Sequence, residues 1–116
     1  MIFFLFSCAS FIKDNDIDTV REFEKEIYIL QNDVVAGNRV LKKGQEVKII
    51  VVPDDEWIKV YGYPVKEGLL KGERVLILYM FEDDFPGEAF DMNLFKKNLS
   101  SIVREKELRG KNDKVK

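Results

Sequence analysis

The segment Val75–Phe81, which reads Val-Leu-Ile-Leu-Tyr-Met-Phe, is an unbroken run of seven apolar residues. Its length suits a β-strand, and a strand with one face in water would alternate between apolar and polar residues. An unbroken run therefore predicts a strand that is covered on both faces. The chain must supply a layer on each side of this strand, and its 116 residues leave room for one small domain to do so.

Two weaker strand signals come earlier in the chain. Residues 26–31, Glu-Ile-Tyr-Ile-Leu-Gln, are predicted to form a first strand, because β-branched and aromatic residues are followed there by Asn32 and Asp33. Residues 34–40 are ambiguous, although Gly37 and Asn38 indicate a turn within them.

The firmest local prediction is a β-hairpin over residues 47–61. Residues 53–56, Pro-Asp-Asp-Glu, form its turn, since proline fixes φ and the acidic side chains bond to nearby backbone. The outgoing strand is placed at 45–52 and the return strand at 57–61. Because strand side chains alternate between faces, Trp57, Lys59 and Tyr61 are expected to share one face of the return strand.

A C-terminal helix is predicted to cover the Val75–Phe81 strand. Asp91 can cap a helix that runs to about Glu107. The apolar residues of this segment fall on one stripe: Met92, Phe95, Leu99, Ile102 and Val103. The predicted fold class is therefore α+β, with a small antiparallel sheet closed by a C-terminal helix.

The charged segment before the first strand has two interpretations. Ile17, Val20 and Phe23 recur every three residues, as in a short amphipathic helix. The alternative is a solvated linker, and the domain boundary is placed near Phe23. The predicted division of the chain is a signal peptide at 1–7, a charged tether at 8–23, the folded domain at 24–109 and a disordered tail at 110–116.

The composition makes several functional classes improbable. The net charge of −2, with both signs intermixed, argues against a dedicated nucleic-acid binder. The chain contains no histidine, the commonest general base and zinc ligand, so we predict neither an enzyme nor a cofactor. Its single cysteine, Cys8, excludes an intramolecular disulfide.

The N-terminus has the features of a signal peptide that ends at Cys8. Ile2 to Phe6 form a short apolar segment, and Ser7 is the small residue before the cleavage site. No basic residue precedes Lys13, so we expect that the chain start has been placed too late. Cys8 has an alternative interpretation as a buried free thiol. A transmembrane helix is excluded, because it would need about 20 apolar residues.

The tetrapeptide Leu5-Phe6-Ser7-Cys8 resembles the bacterial lipobox. It departs from the common pattern at Phe6, where spirochaete lipoproteins tolerate a bulky residue. The resemblance implies cleavage between Ser7 and Cys8, lipidation of Cys8 and attachment to a membrane. The residues after Cys8 are not the acidic signal that retains proteobacterial lipoproteins on the inner membrane, so the outer membrane is expected.

Residues 41–50, Leu-Lys-Lys-Gly-Gln-Glu-Val-Lys-Ile-Ile, followed by an acidic turn and Trp-Ile-Lys-Val-Tyr, are similar to bacterial SH3-like domains. The similarity covers residues 28–82 and implies a small SH3-like antiparallel barrel or sheet. The C-terminal helix is a departure from that family. The whole arrangement also resembles small leptospiral lipoproteins associated with type II secretion. That resemblance implies a structural or assembly factor whose partner is a secretion component.

The aromatic residues around the hairpin are candidates for a ligand surface. Trp57, Tyr61, Tyr63 and Tyr79 could line a groove for a peptide or a cell-wall glycan. The alternative is that they fill the core, which we expect for Trp57 because a small barrel needs bulk at its centre. Tyr61 and Tyr63 flank a glycine and are expected to be exposed.

Two acidic clusters, at residues 54–56 and 82–84, are candidates for Ca²⁺ binding. The spacing of a dedicated calcium loop is absent, so solvated turns are the favoured interpretation and no metal is predicted. Hydrolysis by paired carboxylates is the weakest functional hypothesis, because no substrate-binding motif accompanies them.

Overall fold

The computed structural model describes residues 11–66 and 74–106. The predicted signal peptide at 1–7, the predicted lipidation site Cys8 and the predicted tail at 110–116 lie outside the described residues. Within those residues the chain folds into two helices, one five-stranded antiparallel sheet and a separate two-stranded hairpin. The predicted α+β class is confirmed, and the described strands do not close into a barrel.

The elements follow one another along the chain in a simple order. They are α1 (Asp14–Glu22), β1 (Tyr28–Leu30), β2 (Val34–Ala36), β3 (Arg39–Leu41), β4 (Glu46–Pro53), β5 (Trp57–Pro64), β6 (Val75–Phe81), α2 (Met92–Ser100) and β7 (Val103–Glu105). Short 3₁₀ turns follow α1 and β6. The sheet has the order β6-β5-β4-β1-β7, and β2 pairs with β3 alone.

The core lies against one face of the sheet. Register pairs Val51 with Val60, so the alternating apolar residues of β4 and β5 point to the same side. The helices cover this side with Val20 and Phe95, each 0% exposed, and the 5% exposed Leu99. The predicted hairpin over residues 47–61 is confirmed, and its return strand continues to Pro64.

The ambiguous residues 34–40 form the β2–β3 hairpin, which turns at Gly37. The φ of Gly37 is +63°, a left-handed conformation that glycine adopts without steric cost. The hairpin brings Leu41 over β5 at Gly62, where an added Cβ would lie 3.7 Å from the Leu41 Cδ1 atom, an ordinary van der Waals distance. Leu41 is thereby buried against the core face of the sheet.

The prediction that β6 is covered on both faces is wrong. Its residues Val75, Ile77 and Met80 are buried, whereas Leu76 is 38% and Tyr79 48% exposed. A β-bulge opposite Val60 shifts the alternation, which is why the exposed residues are not evenly spaced. Leucine and tyrosine tolerate partial exposure, so an unbroken apolar run does not by itself require two covered faces.

The predicted C-terminal helix begins as expected but ends seven residues early, at Ser100 rather than near Glu107. Asp91 caps it, since one carboxylate oxygen accepts from the N–H groups of Asn93 and Leu94 at 2.9 and 3.1 Å. Serine hydroxyls compete for carbonyls at the other end, where the Ser101 Oγ donates to the Asn98 carbonyl at 2.7 Å. Val103, which is β-branched, then begins β7 beside β1.

The segment before Phe23 belongs to the folded body, so the predicted tether is wrong for residues 11–23. The helical interpretation is confirmed by α1, whose Val20 is fully buried. Ile12 is only 2% exposed. The backbone N–H of Phe11 donates to the Asp55 carbonyl at 3.2 Å, and the Phe11 carbonyl accepts from the Phe90 N–H at 3.3 Å. Apolar side chains at helical spacing therefore attach this charged segment to the core.

Candidate functional site

The face of the sheet opposite the core is a half-exposed apolar surface, which we call the open face. It is formed by the residues of β4, β5 and β6 that alternate with the core residues, and none of its members is buried. Its members are Lys48, Ile50, Val52, Trp57, Lys59, Tyr61, Tyr63, Leu76, Tyr79 and Phe81. Contiguous apolar surface of this kind marks interaction sites on small proteins.

One end of the open face is built around Lys59. Register places Lys59 directly opposite Tyr79 on the neighbouring strand. The Lys59 Nζ atom lies 4.4 Å from the centroid of the Trp57 ring and 5.5 Å from that of the Tyr79 ring. The two rings are 6.5 Å apart and inclined by 50°. Each such cation–π contact contributes about 0.5–1 kcal/mol at an exposed site, so this end of the surface is held in a defined arrangement.

The other end of the open face repeats the pairing of aromatic and cationic groups. The Arg74 guanidinium carbon lies 5.0 Å from the centroid of the Tyr61 ring. Tyr63 stands opposite Lys48 in the β4–β5 ladder. Trp57 and Tyr63 are six residues apart on β5, so the aromatic stripe is about 20 Å long. This length matches an extended peptide of about six residues.

The charge of the open face differs from that of the whole chain. The chain carries a net charge of −2. Among the described residues of this face the cationic groups that lie beside the aromatic rings are Lys59 at one end and Lys48 and Arg74 at the other. The carboxylate of Glu46, at the margin, is bound by the Lys106 Nζ at 2.7 Å. A ligand that combines apolar side chains with carboxylates would complement this surface.

The structure brings together the four aromatic residues predicted for a ligand surface. Trp57, Tyr61 and Tyr63 lie on the same face of β5, and Tyr79 lies beside Trp57 on β6. The preference for Trp57 in the core is wrong, because Trp57 is half-exposed and the core positions of β5 belong to Ile58 and Val60. Trp57 could enter the core only if the other residues of β5 also changed faces. Ile58 and Val60 are smaller, and they fit between the sheet and the helices.

Of the two cations that accompany these rings, Lys59 is the one that the sequence places correctly. Its spacing of two residues from Trp57 indicates that the two side chains are neighbours on one face of β5. Arg74 gave no comparable signal, because it is brought to Tyr61 by the pairing of β5 with β6.

The two acidic clusters meet at one end of the sheet. The N–H of Glu82 donates to the Glu56 carbonyl at 2.8 Å. The pKa of Glu82 is raised, first by partial loss of hydration and then by the nearby Glu88, Glu56 and Asp83 carboxylates. Among the described residues no group of acidic side chains has an arrangement suited to a metal ion.

Individual carboxylates in these clusters instead stabilise their turns. The Asp54 carboxylate accepts from the Asp55 N–H at 2.6 Å. The Asp84 carboxylate accepts from the Phe81 N–H at 2.9 Å. Both contacts are the local side-chain to backbone bonds expected of acidic residues in turns.

A concave region lies on the core side of the sheet, between α2 and the β1–β7 edge. It is a groove of about 490 Å³ with apolar and charged lining. The Tyr28 side chain reaches it from β1, and the pKa of this phenol is raised to about 12 by burial and by the Glu105 and Glu26 carboxylates. The remaining lining residues are Phe23, Gln31, Lys96, Leu99, Ser100, Val103, Arg104 and Glu105.

No protein-family model, curated protein or solved structure matches this chain. In the described part of the chain, neither helix has the length and apolar character needed to cross a bilayer.

Proposed function

We propose that this chain is a lipoprotein of the bacterial cell envelope, cleaved after Ser7 and anchored through lipid on Cys8, facing the periplasm from the outer membrane. We propose further that it is a structural or assembly factor rather than an enzyme, and that it binds a component of a type II secretion system. The observation that supports a binding role is the open face, where aromatic and cationic side chains alternate over about 20 Å.

The composition of the open face favours a protein ligand. Tryptophan, tyrosine and arginine are the residues that contribute most to binding at protein interfaces. Trp57 and Tyr61 on β5 and Arg74, directly before the neighbouring β6, supply all three. The complementary ligand is an acidic segment with apolar side chains, which would bury the rings and pair its carboxylates with Lys48 and Lys59.

An SH3-like ancestry of the sheet is part of this proposal. It is supported by the Lys43-Gly44 turn that leads into β4, where Gly44 has a φ of +88°, and by the return strand that begins at Trp57. In SH3-like domains, aromatic residues form the groove that receives a peptide. The corresponding groove here would be the open face.

Photo-crosslinking in the native envelope tests the binding role. A photoreactive amino acid at position 63 or 79 samples the open face, and one at Asn93, exposed on α2, is the control. We expect one envelope protein to be crosslinked from both open-face positions and not from position 93. Identification of that protein by mass spectrometry then tests the secretion assignment. Identical crosslinking patterns from all three positions would refute a specific open-face interaction.

The anchor is tested separately by metabolic labelling with radioactive palmitate. We expect label in the wild-type chain and none in Cys8→Ser. An unlabelled wild-type chain with an unprocessed N-terminus would overturn the lipoprotein assignment, whatever the crosslinking result.

A second candidate function is binding of the cell wall. The half-exposed Trp57 ring and the exposed Tyr79 ring, 6.5 Å apart, form an aromatic pair that is suited to contact with a sugar or a stem peptide. Co-sedimentation with purified peptidoglycan tests this function. Binding that is lost in Tyr61→Ala or Tyr63→Ala would favour it over the protein partner, and absence of sedimentation would exclude it.

A further inference from the structure

The backbone of this chain is fixed to the folded body from Phe11 onward. The N–H of Phe11 donates to the Asp55 carbonyl, and the carbonyl of Phe11 accepts from the Phe90 N–H, so Phe11 is bonded to two different segments. Its ring lies 5.5 Å from the ring of Phe85 and 6.1 Å from that of Phe90. The next residue, Ile12, is 2% exposed. Hydrogen bonds and aromatic packing together hold Phe11 at the β4–β5 turn.

Two residues, Ala9 and Ser10, separate Cys8 from Phe11 in the sequence. Three Cα-to-Cα steps of 3.8 Å span at most about 11 Å. Hydrocarbon core and both headgroup layers together measure about 40–45 Å and the core alone about 30 Å, so one headgroup layer is about 5–7.5 Å thick. The chain between Cys8 and Phe11 can therefore cross one headgroup layer and reach only a few ångströms beyond it.

We propose that lipid on Cys8 holds the folded body directly on the bilayer, with the β4–β5 turn at the headgroups. This inference rests on the proposed lipidation of Cys8. The folded body would then not move freely at the end of a flexible tether, but would contact the membrane with one defined end. The surface that meets the headgroups is the end of the sheet that carries Asp55, to which Phe11 is bonded.

The seating determines where a partner of the open face must lie. β5 begins at Trp57, two residues after Asp55, and extends away from the turn for about 20 Å to Tyr63. The whole aromatic stripe therefore lies within a few tens of ångströms of the bilayer. A partner that contacts it is a protein of the same membrane leaflet, or a segment of a larger protein that passes close to that surface.

The charge at the end of the sheet that carries the β4–β5 turn determines which lipid headgroups this end can contact. The carboxylates of Asp54, Asp55 and Glu56 are exposed there, and the Glu82–Asp84 turn lies beside them. Anionic headgroups would repel these groups over a distance of about 8 Å at physiological ionic strength. A zwitterionic surface, such as phosphatidylcholine or phosphatidylethanolamine, is the lipid surface that this end fits.

The chain carries its own probes for a test, since Cys8 is its only cysteine and Trp57 its only tryptophan. The chain that begins at Cys8, as the proposed cleavage leaves it, is coupled through Cys8 to a maleimide phospholipid in phosphatidylcholine vesicles that contain a dansyl headgroup lipid. Energy transfer from Trp57 to dansyl then reports how close the turn end is to the bilayer. The control carries an insertion of 30 Gly and Ser residues between Ser10 and Phe11, which adds a root-mean-square length of about 30 Å.

We expect transfer in the uninserted chain to be at least fivefold more efficient than in the insertion variant, with equal urea midpoints for the two proteins. A second variant, Trp57→Phe with Tyr63→Trp, moves the donor to the far end of β5 and should transfer less than the parent. Equal transfer in the parent and the insertion variant would overturn the seating. Higher transfer from position 63 would overturn the orientation.

Chemical coupling makes this test independent of lipidation in cells. Failure of palmitate labelling would contradict the proposed anchor, whereas failure of the transfer experiment would contradict only the seating of the folded body.

Discussion

The carboxylate of Glu24 accepts a hydrogen bond of 2.7 Å from the backbone N–H of Val51. The Arg21 guanidinium donates to the Val51 carbonyl at 2.8 Å and to the Glu24 carboxylate at 3.1 Å. Because β1 pairs with β4 only at Glu46 and Val47, these two side chains take the place of a neighbouring strand at Val51. The ion pair thus satisfies a sheet edge that would otherwise be open to pairing with another chain.

Glu24→Ala should lower the free energy of unfolding by about 1–3 kcal/mol, because it leaves the part-buried Val51 N–H without its acceptor. Glu24→Gln retains an acceptor oxygen and should cost less. Urea unfolding measures both. The matched control is Glu22→Ala, which removes an exposed pair with Lys25 and should cost no more than about 0.5 kcal/mol. Equal losses for Glu22→Ala and Glu24→Ala would show that the strand-like role is wrong.

Val20→Ala tests whether α1 is part of the cooperative fold. Val20 is 0% exposed, and removing its two methyl groups from the core should cost about 2 kcal/mol. Val35→Ala is the chemically identical control at a position that is 67% exposed, where a change below about 0.5 kcal/mol is expected. Thermal or urea unfolding of both variants gives the comparison. If α1 were only a solvated tether, Val20→Ala and Val35→Ala would lower the free energy of unfolding by equally small amounts.

Asp91→Ala should destabilise the protein by about 1 kcal/mol, because it removes the acceptor for two N–H groups at the start of α2. Asp91→Asn keeps an N-cap oxygen and should restore most of the loss. The urea midpoints of the two variants distinguish a hydrogen-bonded cap from a purely electrostatic effect. If the effect were purely electrostatic, the asparagine variant would be as unstable as the alanine variant.

The features that could be predicted from the sequence are those decided by neighbouring residues. The hairpin around residues 53–56 and the cap at Asp91 each depend on a short segment, and both are present. The end of α2 was missed because Ile102 and Val103 continue the helical stripe, and only the bonding of β7 to β1 favours a strand there. Tertiary pairing overrides local pattern at such positions.

The open face was predictable in part. Alternation along β5 correctly placed Trp57, Lys59 and Tyr61 on one side. It could not show which side faces the core, because both sides of the strand carry apolar residues. The core side is the one that packs against Phe95 and Leu99 on α2 and Val20 on α1. These residues are far from β5 in the sequence, so local pattern does not reveal the contact.

Stability should fall as the pH rises from about 10 to about 12, because of Tyr28. Burial, followed by the Glu105 and Glu26 carboxylates, raises the pKa of this phenol in the folded state from 10.0 to about 12. As the pH rises, Tyr28 therefore loses its proton at a lower pH in the unfolded chain than in the folded one. The contribution of the protonated phenol to folding stability is complete below pH 10 and disappears as the pH approaches 12. After allowance for solvent screening, this loss is no more than about 2 kcal/mol.

Tyr28→Phe isolates this effect from the titration of the other ionisable groups. The variant should have a shallower decline of urea stability above pH 10, and its absorbance titration near 295 nm should lack the component at about pH 12. Parallel stability profiles for the variant and the wild type would contradict the assignment.

Lys59→Glu should weaken partner binding through the open face while leaving the fold intact. The Lys59 Nζ lies over the Trp57 and Tyr79 rings on the open face, so reversing its charge removes two cation–π contacts and repels an acidic ligand. We expect the crosslinked yield from position 63 to fall at least tenfold, with stability reduced by no more than about 1–2 kcal/mol. The control is Lys42→Glu, an exposed lysine outside the open face, which changes the net charge equally. Yields that fall alike in both variants would indicate that overall charge governs binding, and an undiminished yield in Lys59→Glu would remove the open face from the interaction.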